Sequence, residues 1–294
     1  MTKVAIIGAG ISGLSASYYL TENNQDIEVD LYEKAGHTGG KINTYREDGY
    51  VIELGPESYL SRKEALTDLA KAIGMEQDLV RNETGQAYIY ANHKLNPVPP
   101  GTMLGVPTEI KPFLTTSLIT PMGKLRALLD LTKKKMPLYT DISAGYFFRN
   151  RLGDEVLENL IEPLLSGVYS TPIDSLSLMS TYPNFKNQEE KYGSLIRGMI
   201  KSKPPKSNTK KVGQFFQFKN GLISFIEKLG EQVENQNVNL KLNSDVENIE
   251  KVEDGYKVTV NGIAKTYDEV IITTPHFQYK RWFDDKELEY FKHM

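Results

Sequence analysis

Near its start the chain reads Gly8-Ala9-Gly10-Ile11-Ser12-Gly13, directly after the apolar run Val4-Ala5-Ile6-Ile7. Glycines at this spacing, between a strand and a helix, are suited to cradling a pyrophosphate. Gly8 permits the tight turn out of the strand. Gly10 has no side chain, so backbone N–H groups can approach a phosphate closely. Gly13 lets the following helix pack against the sheet. That helix is expected from Ser12 to Glu22 and aims its N-terminal N–H groups and partial positive charge at the phosphates. The same pattern without a ligand is simply a strand, a turn and a helix, so the next residues matter.

They agree with the functional reading. Glu33 ends the second apolar run, Ile27 to Tyr32, and lies 20 residues past Gly13. An acid there accepts hydrogen bonds from the ribose hydroxyls of an adenosine. Gly39-Gly40 follows, and Thr44 completes a Gly-Gly-x-x-x-Thr pattern. The glycine pair lies where the second half of a dinucleotide must pass, which favours FAD over NAD(P). Gly8, Gly10, Ser12, Gly13, Glu33, Lys34, Gly39, Gly40 and Lys41 are therefore the candidate cofactor residues. Lys41 reads equally well as a solvated loop lysine.

The elements that must position these residues form two styles of text. Residues 1–60 read strand, helix, strand, glycine loop and a third strand over Gly49–Leu54. A helix over Glu64–Ile73 is closed by Gly74. Between Val80 and Pro112, prolines and glycines allow only short strands and turns. Helices are expected over Gly123–Lys135, Ile142–Asn150 and Asp154–Leu165, the last bent by Pro163. The α/β style resumes with a helix over Gly221–Val233 and strands at Val238–Leu242 and from Val246. A hairpin turns at Asn261-Gly262, and a buried strand over Val270–Thr274 ends at Pro275. Lys201–Lys211 reads as an exposed flexible loop.

The fold class is therefore α/β, or α+β overall: a split Rossmann-type dinucleotide domain interrupted by a mostly helical insertion. The expected segments are 1–78, an insertion over 79–212, a second domain segment over 213–276, and the start of a C-terminal part over 277–294. The chain has 294 residues, 39% hydrophobic and 25% charged, and a net charge of −3. That balance gives no sign of nucleic-acid binding. Cysteine is absent, which excludes disulfides, thiolate nucleophiles and cysteine-ligated metals. The four histidines show no ligand spacing, so no metal site is expected. No apolar stretch reaches the roughly 20 residues that span a bilayer, and the chain opens on a strand with no signal peptide. A cytoplasmic protein is expected.

The whole chain resembles the FAD-dependent amine oxidase–like superfamily, and within it the bacterial protoporphyrinogen/coproporphyrinogen oxidases. The N-terminal glycines, Glu33-Lys34, Gly39-Gly40-Lys41 and Glu53-Leu54-Gly55-Pro56 carry the broad resemblance. Glu162-Pro163-Leu164-Leu165-Ser166-Gly167-Val168-Tyr169 and Leu176-Ser177-Leu178-Met179-Ser180 carry the narrower one. Lys219-Asn220-Gly221 and Thr273-Thr274-Pro275-His276 extend it. The resemblance implies FAD-dependent, six-electron oxidation of coproporphyrinogen III to coproporphyrin III in heme biosynthesis. O₂ would be the acceptor and H₂O₂ the released product. Protoporphyrinogen IX is the alternative substrate.

The resemblance also assigns roles. Gly55, otherwise a turn glycine before Pro56, would pass close to the flavin. The backbone of Val246 would meet adenine. Thr274 ends a parallel strand at the edge where ligands gather. Lys63, and beside it Arg62, would face the substrate, pairing with a propionate or stabilising charge during hydride loss. Arg62 reads at least equally as a surface charge before a helix, and the resemblance favours Lys63. Arg149 and Arg151 could meet carboxylates, although solvated surface is their simpler reading. Tyr146, Phe147, Phe148 and Tyr169 could face a flat macrocycle or pack a core.

Family chains continue past the position of Met294, and the resemblance places the wall that closes over the flavin there. A truncated, inactive FAD-binding fragment is thus a further reading, as is an amine or carotenoid oxidase. Weak contact with a membrane surface or with another heme-pathway enzyme is compatible with the sequence, which carries no motif for either.

Overall fold

The computed structural model describes residues 1–82, 86–91, 93–137, 140–202 and 213–283. Of the loop expected over Lys201–Lys211, Lys201 instead ends a helix and residues 203–211 lie outside the described residues, as does the end of the C-terminal part, 284–294. Contacts divide the chain into two units, Met1–Thr84 with Val212–Met294, and Gly85–Lys211.

The first unit runs in order β1 (Thr2–Ile7), α1 (Ile11–Thr21), β2 (Ile27–Tyr32), β3 (Thr44–Glu47), β4 (Tyr50–Glu53), β5 (Tyr59–Leu60), α2 (Glu64–Ala72) and β6 (Leu79–Arg81). After the second unit it continues with β7 (Phe215–Phe218), α3 (Ile223–Glu234), β8 (Val238–Lys241), β9 (Val246–Val252), β10 (Gly255–Val260), β11 (Ile263–Tyr267) and β12 (Glu269–Ile272). A 3₁₀ turn, His276–Arg281, follows.

Its centre is a four-stranded sheet in the order β8-β2-β1-β12, parallel throughout. The apolar runs ending at Ile7 and Tyr32 are its buried strands, whereas the strand expected to be buried over Val270–Thr274 is only half-buried and ends at Ile272. Alternation along them supplies two faces. Val4, Ile6, Val29 and Leu31 pack in one core cluster with Leu14 of α1 and Ile226 and Leu229 of α3. Ala5, Ile7 and Tyr32 pack in another with Ile249, Val258 and Tyr267 of the antiparallel meander β9-β10-β11. The Asn261-Gly262 hairpin is present, with φ of 49° and 76° as a type I′ turn requires.

One expectation is borne out in a different setting and one changes. The third strand, expected over Gly49–Leu54, is present but lies outside the parallel sheet. Tyr50–Glu53 instead pairs with Thr44–Glu47 in a two-stranded hairpin around Asp48-Gly49, both at positive φ, and the next parallel strand comes from Val238–Lys241. Leu79–Arg81, expected to open the helical insertion, pairs with β7 and so belongs to the first unit.

The second unit is largely helical, with a small hairpin of Tyr88–Ala91 and Lys94–Pro97. Thr120, Ser143 and Ser194 cap its helices through their hydroxyls, the usual way of satisfying orphan N–H groups. Asp154–Leu165 is not one α-helix. A π-turn occupies Leu157–Ile161, around the Asn159 carbonyl that Pro163, lacking an N–H, leaves without its regular α-helical donor. Two helices absent from the sequence reading, Pro183–Tyr192 and Leu195–Lys201, complete the unit. No helix among the described residues is long and apolar enough to cross a membrane.

Where the meander meets the parallel sheet, one carboxylate is shut in. Asp30 of β2 is 1% exposed. It takes hydrogen bonds from Lys265 Nζ (2.6 Å), Asn239 Nδ2 (3.0 Å) and the Tyr267 hydroxyl, and Lys241 Nζ lies 3.0 Å away. Burial alone would raise its pKa. The bonds from Lys265, Tyr267, Lys241 and Asn239 outweigh burial and hold it well below the ordinary carboxylate range. A carboxyl group with a depressed folded-state pKa stabilises the fold above its unfolded pKa and loses that contribution as pH falls. Asp30→Asn is therefore expected to cost about 2–4 kcal/mol at neutral pH. It should also flatten the loss of stability below about pH 4, as urea unfolding at a series of pH values would register. An unchanged acid limb would refute this.

Candidate functional site

The loop after β1 is built by backbone constraint. Gly8 sits at φ +101°, and its N–H donates to the Tyr32 carbonyl at 2.7 Å. The Thr273 hydroxyl donates to the carbonyls of Gly8 (2.9 Å) and Ile7 (3.0 Å). A Cβ on Gly13 would lie 1.9 Å from the Gly8 carbonyl oxygen. Only glycine lets α1 come this close to the strand end.

The second glycine loop joins the first. Gly39 N–H donates to the Ala9 carbonyl at 2.9 Å, and Gly10 and Gly39 form a parallel bridge. Gly39 and Gly40 are both at positive φ. A Cβ on Gly39 would meet the Ile42 carbonyl oxygen at 2.8 Å, and one on Gly55 would meet the Lys41 carbonyl oxygen at 2.1 Å. These glycines are all demanded by the chain's own backbone.

Gly10 differs. Its φ is −72°, ordinary for any residue, and an added Cβ would find nothing nearer than the Gly39 carbonyl oxygen at 3.8 Å. The fold does not need glycine at this position. A group outside the chain approaching the first N–H groups of α1, which have no intrahelical acceptor, does need it.

Glu33 works inside this loop as well as beside it. One carboxylate oxygen accepts from Ala9 N–H (2.8 Å) and the other from Ala35 N–H (2.8 Å). An ionised carboxylate has about four acceptor positions, so both oxygens keep capacity for a further donor.

A cavity of about 200 Å³ opens at the carboxyl ends of the parallel strands. Ile7 and Gly8 after β1, Glu33 and Lys34 after β2, and Thr274 after β12 reach it. Val246 lines it from the start of β9. This is the topological switch point of the sheet, because β2 and β8 lie on one side of β1 and β12 on the other. Open α/β sheets bind ligands there. The Thr274 hydroxyl oxygen is buried without a hydrogen-bond partner, and an orphaned buried hydroxyl usually awaits a ligand or water. The residues thus fit the adenosine half and pyrophosphate of a dinucleotide.

The structure therefore brings Gly8, Glu33, Lys34, Val246 and Thr274 to one cavity. Gly10, Gly13, Gly39 and Gly40 gather at the adjoining turn, and Ser12 is exposed at the start of α1. Lys41 is exposed and Gly55 packs on its carbonyl. Arg62 and Lys63 are exposed at the start of α2. Thr44 serves elsewhere. Its hydroxyl donates to Glu53 (2.6 Å) and accepts from Ile223 N–H (3.2 Å). Glu53 in turn accepts from Leu222 N–H (2.6 Å), so both residues cap α3.

In the second unit the arginines meet the chain's own carboxylates. Arg149 pairs with Asp154 (2.7 Å) and Asp174 (2.8 Å). Arg151 is fully buried rather than solvated, bonded to Asp130 and to Glu189 at 3.3 Å. Phe147 and Phe148 are core, whereas Tyr146 and Tyr169 are exposed.

Sequence reading missed Thr273, Asp245, Gln278, Arg281 and Trp282. Thr273 stood in the Thr-Thr-Pro run, and Trp282 is the chain's sole tryptophan. Asp245 accepts from Lys34 (3.2 Å) and from both terminal nitrogens of Arg281 (3.1 Å each). Arg281, and after it Lys34, keeps Asp245 below the ordinary carboxylate range despite partial burial.

Comparison with known proteins shows the family. The model of the flavin containing amine oxidoreductase family matches residues 11–292. A coproporphyrinogen III oxidase of Staphylococcus aureus is 53% identical across the whole chain and 65% of its own length. That of Bacillus subtilis is 44% identical across 93% of the chain and 60% of its own length. The chain thus spans less than two thirds of these relatives. A crystal structure from an Exiguobacterium species, carrying the name protoporphyrinogen oxidase, superimposes with a TM-score of 0.81 at 39% identity. It covers 95% of this chain and 60% of that one. A putrescine oxidase, 20% identical, shares the fold with a TM-score of 0.67, over 100% of this chain and 62% of that one.

The glycines separate by what they serve. Gly13→Ala forces α1 away from β1 and is expected to lower stability by about 1–3 kcal/mol. Gly10→Ala, with room for its methyl group, should change it by less than about 1 kcal/mol. Chemical denaturation of the two variants without ligand checks the contrast, and equal losses would remove the argument from Gly10.

Proposed function

This chain belongs to the flavin containing amine oxidoreductase family, and we propose that it acts in the FAD-dependent oxidation of coproporphyrinogen III to coproporphyrin III. The observation that carries the cofactor half of this reading is Gly10, a glycine that the fold itself does not require. The unpartnered Thr274 hydroxyl and the remaining acceptor capacity of Glu33 support it. Curated relatives named coproporphyrinogen III oxidase support the substrate.

In this reading the first N–H groups of α1 hold the pyrophosphate and Gly10 leaves room for it. Glu33 accepts from the ribose hydroxyls. Gly39, Gly40, Lys41 and Gly55 line the path of the flavin half, and Thr274 and Val246 complete the adenosine end. Bound FAD supplies the hydride acceptor and passes electrons to O₂, so that each six-electron oxidation consumes three O₂ and releases three H₂O₂. Lys63 would stabilise the negative charge that leaves the macrocycle with the hydride, and Arg62 would pair with a propionate. Heme biosynthesis is the setting, and the porphyrinogen and O₂ are the small-molecule partners.

The test is a visible spectrum of the purified, FAD-loaded chain before and after anaerobic addition of coproporphyrinogen III. Bleaching of the flavin band is expected, and porphyrin fluorescence is expected once air is admitted, because one flavin takes only two of the six electrons. A flavin band unaffected by the substrate would refute the assignment. Gly10→Ala should weaken FAD binding by about tenfold or more while leaving the fold intact. Lys63→Met should lower kcat by on the order of tenfold or more without changing FAD content.

A further inference from the structure

The segment after β12 turns back over the strand ends and is pinned there by contacts of several kinds. The Tyr279 hydroxyl donates to the Ile272 carbonyl at 3.2 Å. The Trp282 indole N–H donates to the Val246 carbonyl at 2.9 Å. Arg281 makes a two-pronged pair with Asp245, which also holds Lys34 at 3.2 Å. Three loops, after β2, after β8 and after β12, are thereby tied at one rim. Gln278, Arg281 and Trp282 form the outer wall of the same cavity that Glu33 and Thr274 reach from within.

Two observations say what this wall faces. Small-molecule sites usually measure roughly 300–1,000 Å³, and this cavity is smaller, about 200 Å³. It takes part of a dinucleotide rather than the whole. Glu33 lines it and Gly39, Gly40 and Gly55 do not, so the part is the nucleoside end and not the flavin ring. Trp282 is 8% exposed and is packed with Ile7, Tyr32 and Val246. Its indole N–H already occupies the Val246 carbonyl, which leaves that carbonyl only its second lone pair for a base.

We propose that Trp282, pinned by the Arg281–Asp245–Lys34 ion cluster, is the wall that sets the affinity of the chain for the adenosine moiety of its cofactor. The proposal rests on the dinucleotide reading above and extends it. Binding of the nucleoside end then depends on a segment following the dinucleotide sheet, and the chain's sole tryptophan is its own reporter.

The experiment is a titration of the nucleotide-free full chain with ADP and, separately, with FMN. Tryptophan emission and calorimetry are followed together. ADP should bind and change the emission, whereas FMN, which lacks adenosine, should not. Trp282→Ala should weaken ADP binding by about tenfold, the worth of an aromatic contact. Arg281→Ala removes an exposed ion pair together with a contact to the Trp282 ring, so its fold is expected to survive, and it should weaken ADP binding by about threefold. ADP binding that leaves the emission unchanged, or an FMN response as large as that of ADP, overturns the proposal. So does wild-type affinity in Arg281→Ala and in Trp282→Ala. A chain that binds neither ADP nor FAD overturns the dinucleotide reading and the proposal with it.

Discussion

The first unit depends on how closely α1 approaches the end of β1. With the Gly13 Cα against the Gly8 carbonyl, the helix starts immediately above the strand, and its first N–H groups point over the sheet edge. A side chain at position 13 would have to displace a backbone oxygen from 1.9 Å. Other groups at this edge gather around that contact. Thr273 reaches across from the neighbouring strand to hold the same carbonyl. Gly39 docks its N–H on Ala9, which carries the second glycine loop to Gly10. The contact makes the site possible without forming part of it.

The sheet behind this edge has two unlike faces, and they are held by different forces. Against α1 and α3 the packing is apolar, and its stabilisation scales with buried area. Against the meander it includes Asp30, a shielded charge with cations and hydroxyls around it. A buried ion pair adds little net stability over an apolar substitute. Losing one partner is costly, however, so such a cluster penalises any other pairing of the two layers. The second unit repeats the device with Arg151, Asp130, Glu189 and Lys186 around its apolar core.

Elements set by local chemistry were legible in the sequence. Ile27–Tyr32 needs only its own apolar run, and the Asn261-Gly262 turn needs only two residues that tolerate positive φ. The glycine loop and Glu33 were legible because their spacing encodes a single geometry. What stayed hidden rests on distant partners. Pairing of Tyr50–Glu53 with Thr44–Glu47 looks, residue by residue, like a third sheet strand. The helix over Pro183–Tyr192 buries Lys186 and Glu189 on its core side, so its apolar stripe is interrupted where a periodicity search would look for it. Arg151 reads as surface until Asp130 and Glu189, far away in sequence, are placed beside it. The Asp245 cluster is likewise invisible, since it joins Lys34 to Arg281 across most of the chain.

The division of labour among the glycines has a consequence for binding. Gly8 and Gly39 take backbone angles closed to most residues, and Gly13 and Gly55 admit close backbone contacts. Glu33, Thr273 and the Gly39 amide hold the resulting loops through bonds internal to the protein. The first N–H groups of α1 are therefore ordered by folding, and in the proposed function a ligand need not supply the entropy of arranging them, a cost that otherwise falls on affinity. What the proposed ligand must supply is a fit to the space beside Gly10. A methyl group there would meet nothing nearer than 3.8 Å within the chain, so the fold itself does not account for the glycine. Scaffold and recognition thus reside in neighbouring residues of one short motif, and substitutions there separate stability from binding.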